Sequence, residues 1–258
     1  MCLVLLGVEI SPSFPLILAA NRDEFYQRPT APMDFWPENP AILAGKDLEQ
    51  GGTWFGINTQ GRFAALTNYR DLSRLKQAPP SRGEIIVAFL EFTGSIPDFM
   101  DHFKPRAPAY NGFNLLLGQP GQLFWFSNQT RKIASLTPGI HGISNHLLDT
   151  PWPKVDQGRK ALAKALQDGK TDPETLFSLL RDSSVPADDL LPDTGVGLEW
   201  ERILSPLFIQ SPFYGTRSSL VMAMDLQGRV HLTERTYFQE GLTPHEDRHF
   251  SLGPFQKS

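Results

Sequence analysis

Met1-Cys2-Leu3-Val4-Leu5-Leu6-Gly7-Val8-Glu9-Ile10-Ser11-Pro12-Ser13-Phe14-Pro15-Leu16-Ile17-Leu18-Ala19-Ala20-Asn21-Arg22-Asp23-Glu24 opens the chain with two apolar runs and a polar exit. Each run is too short for a helix of ordinary length, and Ser11-Pro12-Ser13 between them is turn chemistry. The segment therefore reads as a buried β-hairpin, with strands over 2–9 and 14–20. A turn centred between Pro12 and Ser13 makes paired residue numbers sum to 25. Cys2 then faces Asp23, with Asn21 as its diagonal neighbour and Arg22 on the other face. A slip of one residue would exchange the faces.

Cys2 is the only cysteine. Methionine ahead of a small residue is commonly removed, and Cys2 would then carry a free α-amine beside its thiol. An α-amine titrates near pH roughly 7.7–8.0, so one residue would hold both nucleophile and base. A cysteine in an apolar run is otherwise simply a small buried hydrophobe. The polar residues Asn21 to Glu24 expected across from it favour the active reading.

Further strands are expected over 53–57 and 62–67, around Asn58-Thr59-Gln60-Gly61. Residues 83–103 carry apolar side chains at helical spacing, broken near Gly94 and Pro97. Strands follow at 113–117, 123–126, 132–136 and 139–144. Helices are expected over 154–166 and after Asp172-Pro173. Residues 184–197, acidic and rich in Pro and Gly, read as a surface loop or lid. A last hairpin, 218–224 and 229–233, precedes a polar tail, 244–258. Strand clusters around helical blocks favour α+β layering in one domain of 1–258, with the apolar strands covered on both faces.

Composition narrows the partners. The 258 residues are 40% hydrophobic and 20% charged, with 24 basic and 28 acidic side chains and a net charge of −4. Without a basic block, nucleic acid is excluded as the expected partner. No apolar run approaches the ~18 residues of a membrane span, so no integral membrane segment is expected. Residues 2–8 lack the basic flank and cleavage site of a signal peptide. A lone cysteine fits a reducing, cytoplasmic setting.

Several motifs together resemble one family. Met1-Cys2-Leu3, Ala20-Asn21-Arg22-Asp23-Glu24-Phe25, Gly51-Gly52-Thr53-Trp54-Phe55-Gly56, Leu66-Thr67-Asn68-Tyr69-Arg70, Gly142-Ile143-Ser144-Asn145-His146 and Leu148-Asp149-Thr150-Pro151-Trp152-Pro153-Lys154 resemble the NRDE proteins, the transport-and-Golgi-organisation-2 family. That family in turn looks like a distant branch of the cysteine N-terminal-nucleophile (Ntn) hydrolases, which include penicillin V acylases and bile salt hydrolases. The resemblance implies a four-layer αββα sandwich of antiparallel sheets. It implies Cys2 as nucleophile, Asp23 (or Glu24) as its charge partner, Asn68 as an oxyanion-hole amide and Asn145 as a second site Asn. Asn21, Arg22, Glu24, Trp54, His146 and Arg217 are the expected ligand contacts. In acylases the arginine stands three residues before the Asp; here Ala20 holds that position and Arg22 is adjacent to Asp23.

The implied activity is hydrolysis of a linear amide of a small molecule, with no cofactor required. The alternative is a non-catalytic pocket for haem or for acyl-CoA or another lipid, in haem trafficking or lipid handling, with haem iron on Cys2 or a nearby histidine. No resident metal is expected. Among the six histidines only His245 and His249 have helical ligand spacing, and they fall in the expected polar tail.

Overall fold

A computed structural model describes residues 2–238 and 245–256, with Cys2 described in its backbone alone. Met1, the Cys2 thiol, residues 239–244 and residues 257–258 therefore lie outside the description. Two antiparallel sheets face one another, with helices on both outer faces. The chain is an αββα sandwich, as the family resemblance implied.

The first sheet holds β1 (Cys2–Val8), β2 (Leu16–Phe25), β10 (Gly139–Ile143), β11 (Tyr214–Met224), β12 (Val230–Tyr237) and β13 (His245–Leu252), in the order β10-β1-β2-β11-β12-β13. The second runs β3 (Thr30–Trp36), β4 (Asn39–Asp47), β5 (Phe55–Asn58), β6 (Phe63–Asn68), β7 (Phe113–Gln119), β8 (Gln122–Ser127) and β9 (Ile133–Ser135) in sequence order. The helices are α1 (Gly83–Glu91), α2 (Ile96–Phe103), α3 (Pro153–Gln167), α4 (Pro173–Leu180) and α5 (Leu198–Leu204).

Three apolar layers follow from the pleat. Val4, Leu6, Leu18, Leu220 and Met222 meet Leu43, Phe55, Ile57 and Leu116 between the sheets. On the outer face of the first sheet, Leu3, Leu5, Ile17 and Val221 pack under Val155, Leu162 and Phe177 of α3 and α4. Across the molecule, Ala64, Leu115 and Leu117 pack under Ile86 and Phe89 of α1 and Met100 of α2. The helices start where capping chemistry dictates: Ser95 and Asp98 close a capping box on α2, and Asp172 caps α4.

Four expectations need correction. The first hairpin pairs with numbers summing to 24, so Cys2 faces Arg22 and Leu3 faces Asn21. Its closing bond runs from the Glu9 amide to the Pro15 carbonyl (2.7 Å), which makes Pro12 the centre of an odd-length loop. β2 continues through Asn21–Glu24, which sequence had read as an exit. Strands β3 and β4 were not expected; Pro32, Pro37 and Pro40 punctuate this stretch, and Pro32 sits in a register shift between Ala31 and Asp34. Finally, His245–Leu252 is an edge strand on β12 and not a polar tail. Alternating charges are a common way to protect an edge, and they hide it from hydropathy.

Candidate functional site

The end of the sandwich where β1 begins and β2, β4 and β6 finish holds a cavity of about 310 Å³. Its walls include Arg22, Asp23 and Glu24 of β2, Asp47 at the end of β4, Thr53 and Trp54 before β5, Asn68 at the end of β6, and Arg82-Gly83 at the start of α1. Gly51-Gly52-Thr53-Trp54 builds one wall. A Cβ on Gly52 would lie 2.5 Å from the Gly83 carbonyl carbon, so this backbone approach demands glycine. Gly45 likewise leaves room for the Trp54 ring, which would stand 2.4 Å from an added Cβ. Trp54 is thereby held flat beneath the Arg22 guanidinium, 3.9 Å from ring centre to Cζ.

The pleat of β2 splits the Asn-Arg-Asp string between two layers. Arg22, in register with Cys2 on one side and Ser218 on the other, belongs to the face toward the second sheet. Asn21 belongs to the helix-covered face, where its Nδ2 donates to the carbonyls of Leu180 (2.9 Å) and Leu207 (2.8 Å). Its Oδ1 accepts from Ser219 (2.6 Å). Asn21 thus ties the sheet to its helices.

Asp23 borders the cavity, but its carboxylate is fully buried and accepts from Thr216 Oγ1 (2.7 Å). Burial raises its pKa; the Lys154 charge, the Thr216 bond and Arg22 pull against that rise.

Asn68 lines the cavity, and Asn145 stands behind it. Asn145 is wholly buried, donates to the Asn68 carbonyl (2.9 Å) and accepts from Arg70 (3.3 Å). The Arg70 amide returns a bond to the Asn145 carbonyl (2.8 Å). The two loops are stitched together, so Asn145 acts on the cavity through Asn68. His146 is turned aside: its ring lies against Tyr69 and Trp152, its Nδ1 is 2.9 Å from Thr150 Oγ1, and burial lowers its pKa. Arg217, at the bulge between Thr216 and Ser218, donates to the carbonyls of Phe25 (2.9 Å), Tyr26 and Arg28 (both 3.2 Å). It fastens the 25–28 turn rather than the cavity wall. Glu24, with Asp47 and Glu49, surrounds Arg28 at the rim.

The burial of several charges behind the site was not expected from the sequence, although Arg70 and Lys154 lie in the motifs of the resemblance. Arg70 and Glu201 form an ion pair at 2.6 Å with each side chain 4% exposed, and Glu201 also accepts from Thr194. That pair pins the 184–197 loop to the Asn145 segment. Lys154 is buried beside Asp23 and donates to the Leu204 carbonyl (2.9 Å). Glu234 is buried between the sheets and accepts the Met33 amide (2.6 Å). Nothing in a one-dimensional pattern marks such residues, because a charge flanked by apolar neighbours also describes an exposed strand position.

The profile of the family "Transport and Golgi organisation 2" matches residues 1–239. The chain belongs to this family. It is 35% identical to the Transport and Golgi organization protein 2 homolog of Bos taurus, covering 92% of this chain and 93% of that one. The human homolog is 33% identical over 98% and 99%, and the Drosophila melanogaster protein 29% over 95% and 94%. Among solved structures, the conjugated bile acid hydrolase from Clostridium perfringens superposes with a TM-score of 0.54 as its C2A mutant, at 9% identity, covering 99% and 98% of the two chains. Its R18L variant gives 0.53 at 10% identity. At that identity the likeness establishes the Ntn-hydrolase fold.

Within this family member, the segment Leu148–Lys154 finds a physical explanation. Asp149 accepts from the Gly142 amide and pairs with His141 (both 2.8 Å), Trp152 lies under Arg70, and Pro153 starts α3 so that Lys154 points inward. Among the described residues, no helix is long and apolar enough to cross a membrane.

Proposed function

We propose that this chain is a cysteine amidohydrolase of the Ntn type, acting on a linear amide of a small polar molecule. The observation that carries this reading is the pairing of Cys2 with Arg22 at the head of the polar cavity. Asp23, next along β2 from the partner of Cys2, is the candidate charge partner of the Cys2 amine. With Met1 removed, the Cys2 amine takes the thiol proton and the sulfur adds to the amide carbon. Asp23 supports the resulting ammonium. Negative charge develops on the carbonyl oxygen, where the Asn68 side-chain amide is the candidate donor. A preorganised donor of this kind is worth roughly 2.7–4 kcal/mol. The C–N bond then breaks, the leaving amine takes the proton from the ammonium, and water hydrolyses the thioester.

The wall chemistry selects among ligands. Arg22, Asp23, Glu24, Arg28, Asp47, Glu49 and Arg82 all border the cavity. An acyl chain or a haem face would take water from these charged groups and offer them no hydrogen bonds in return, which is costly. A small amide bearing polar groups would engage them.

Intact mass spectrometry of protein purified from cells, followed by iodoacetamide treatment without denaturant, tests this reading. The expected result is loss of Met1 and one carbamidomethyl group on Cys2. Retained Met1, or a Cys2 that reacts only after denaturation, rejects it.

A further inference from the structure

A second cavity, of about 460 Å³, lies at the end of the sandwich opposite the first. It opens between the sheets where β1 ends and β2 begins, beside the β7–β8 and β11–β12 turns. The two cavities share no wall residue. Val8, Leu16, Leu123, Leu136 and Met224, all part of the inter-sheet core, form its floor. Close-packed interiors leave few voids larger than a water molecule, so an apolar hollow of this size departs from ordinary core packing. It falls in the range of small-molecule pockets, roughly 300–1,000 Å³. The carboxy-terminal segment closes one side. After β13 ends at Leu252, the Phe255 amide donates to the Gly228 carbonyl (2.8 Å) in the β11–β12 turn. The Phe255 ring rests on Gly61 of the β5–β6 turn, 2.7 Å from where a Cβ would stand. Residues 253–256 thus strap the first sheet to the second and add an aromatic wall.

The polar groups at the rim decide what this cavity would take. Glu9 and Asp225 stand there with the side-chain amides of Gln122, Gln227 and Gln256, and among the described wall residues there is no Lys, Arg or His. Asp225 is satisfied within its own turn, accepting from the Gln227 (2.9 Å) and Arg229 (2.8 Å) amides. His231 approaches Asp225 at 3.6 Å but does not border the cavity. An anionic head would therefore meet two carboxylates and no cation, which is costly once water is excluded. A hydroxyl or amide head would find both donors and acceptors in the glutamines. The amino-terminal cavity, bordered by Arg22, Arg28 and Arg82, has the opposite character. We propose that the second cavity binds an uncharged amphiphile: its hydrocarbon chain or ring system lies on the inter-sheet floor against Phe255, and its hydroxyl or amide end lies at the glutamine rim. This binding is independent of the Cys2 chemistry, because the two cavities stand at opposite ends of the strands.

The test uses the uncharged fluorophore N-phenylnaphthylamine, titrated into the full-length protein at neutral pH and displaced with decanol or with decanoate. The protein should enhance its emission saturably. Decanol should compete about tenfold more tightly than decanoate, or better, because an ionised carboxylate gains no cation in this cavity. Ser135→Trp fills the cavity from an exposed wall position on β9 and should weaken fluorophore binding by about tenfold or more. Phe255→Ala removes the aromatic wall and should weaken it by roughly 3- to 10-fold. Gln50→Trp, in the wall of the amino-terminal cavity, should leave it unchanged. No saturable emission, or equal competition by decanol and decanoate, overturns the proposal. So does an affinity lost in Gln50→Trp and kept in Ser135→Trp, which would place the ligand at the amino-terminal end. Where Ser135→Trp does not fold, Phe255→Ala decides, and a wild-type affinity in that variant overturns the proposal. Iodoacetamide labelling of Cys2 reports on the catalytic reading separately, so either can fail without the other.

Discussion

The two faces of β2 carry adjacent residues with unlike tasks. Arg22 looks between the sheets, onto Trp54 and the cavity. Asn21 and Asp23 look toward the helices, where one ties carbonyls of two helix-side segments and the other sits among Thr216 and Lys154. A motif that is contiguous in sequence is split by the pleat into a ligand-facing part and a foundation. Asn21 is therefore expected to govern stability and Arg22 chemistry, while Asp23, on the helix side but bordering the cavity, belongs to both.

Lys154→Met strikes the foundation hardest. It leaves the Asp23 charge buried with less compensation, and breaking such a pair costs about 3–5 kcal/mol. Urea denaturation should show this loss at neutral pH. The sign with pH follows from the raised Asp23 pKa: the folded state then binds the proton more tightly than the unfolded one, so stability falls as pH rises above 3.8. Removing Lys154 widens that gap, so the penalty should shrink toward acid pH. A penalty independent of pH would mean that Lys154 acts by packing alone.

Asn21→Ala is next. It strips donors from the Leu180 and Leu207 carbonyls and should cost about 1–3 kcal/mol, while Cys2 alkylation in the folded variant stays near the wild-type rate. A lost alkylation rate with unchanged stability would invert the division between the faces.

His141→Asn probes the sheet's other edge and should be the mildest. The Asp149 hydrogen bond raises the His141 pKa, so its contribution is complete below pH 6.5 and lost as pH rises through the raised value. The stability difference between wild type and His141→Asn should therefore close on going from pH 6 to pH roughly 8. A constant difference would assign His141 a purely steric role.

Much of the layering was legible in the chain. Apolar alternation and turn residues placed the strands β1, β5 to β8 and β12, and Gly94 with Pro97 foretold the break between α1 and α2. These are local signals, set by side-chain period and backbone preference. Register was not local. Whether Cys2 meets Arg22 or Asp23 depends on one residue in the loop around Pro12, and the closure from Glu9 to Pro15 settled it. The edge strand β13 and the proline-punctuated β3 and β4 were hidden because their partners, not their hydropathy, make them strands.

Residue type and family resemblance singled out Cys2, Trp54 and Asn68, of which Trp54 and Asn68 line the cavity. The burial of Lys154, Glu201 and Glu234 was not legible, because a buried charge differs from an exposed one only through what surrounds it. The sequence by itself determined α+β layering with strands covered on both faces and the residue types gathered at the amino-terminal end, and its family resemblance implied the αββα order of the layers. Tertiary structure alone decided which of Asn21, Arg22 and Asp23 faces the cavity and which buried charges stand behind them. Faces follow from a register fixed by loop closure, and charge pairing follows from proximity between strands and helices distant in the chain.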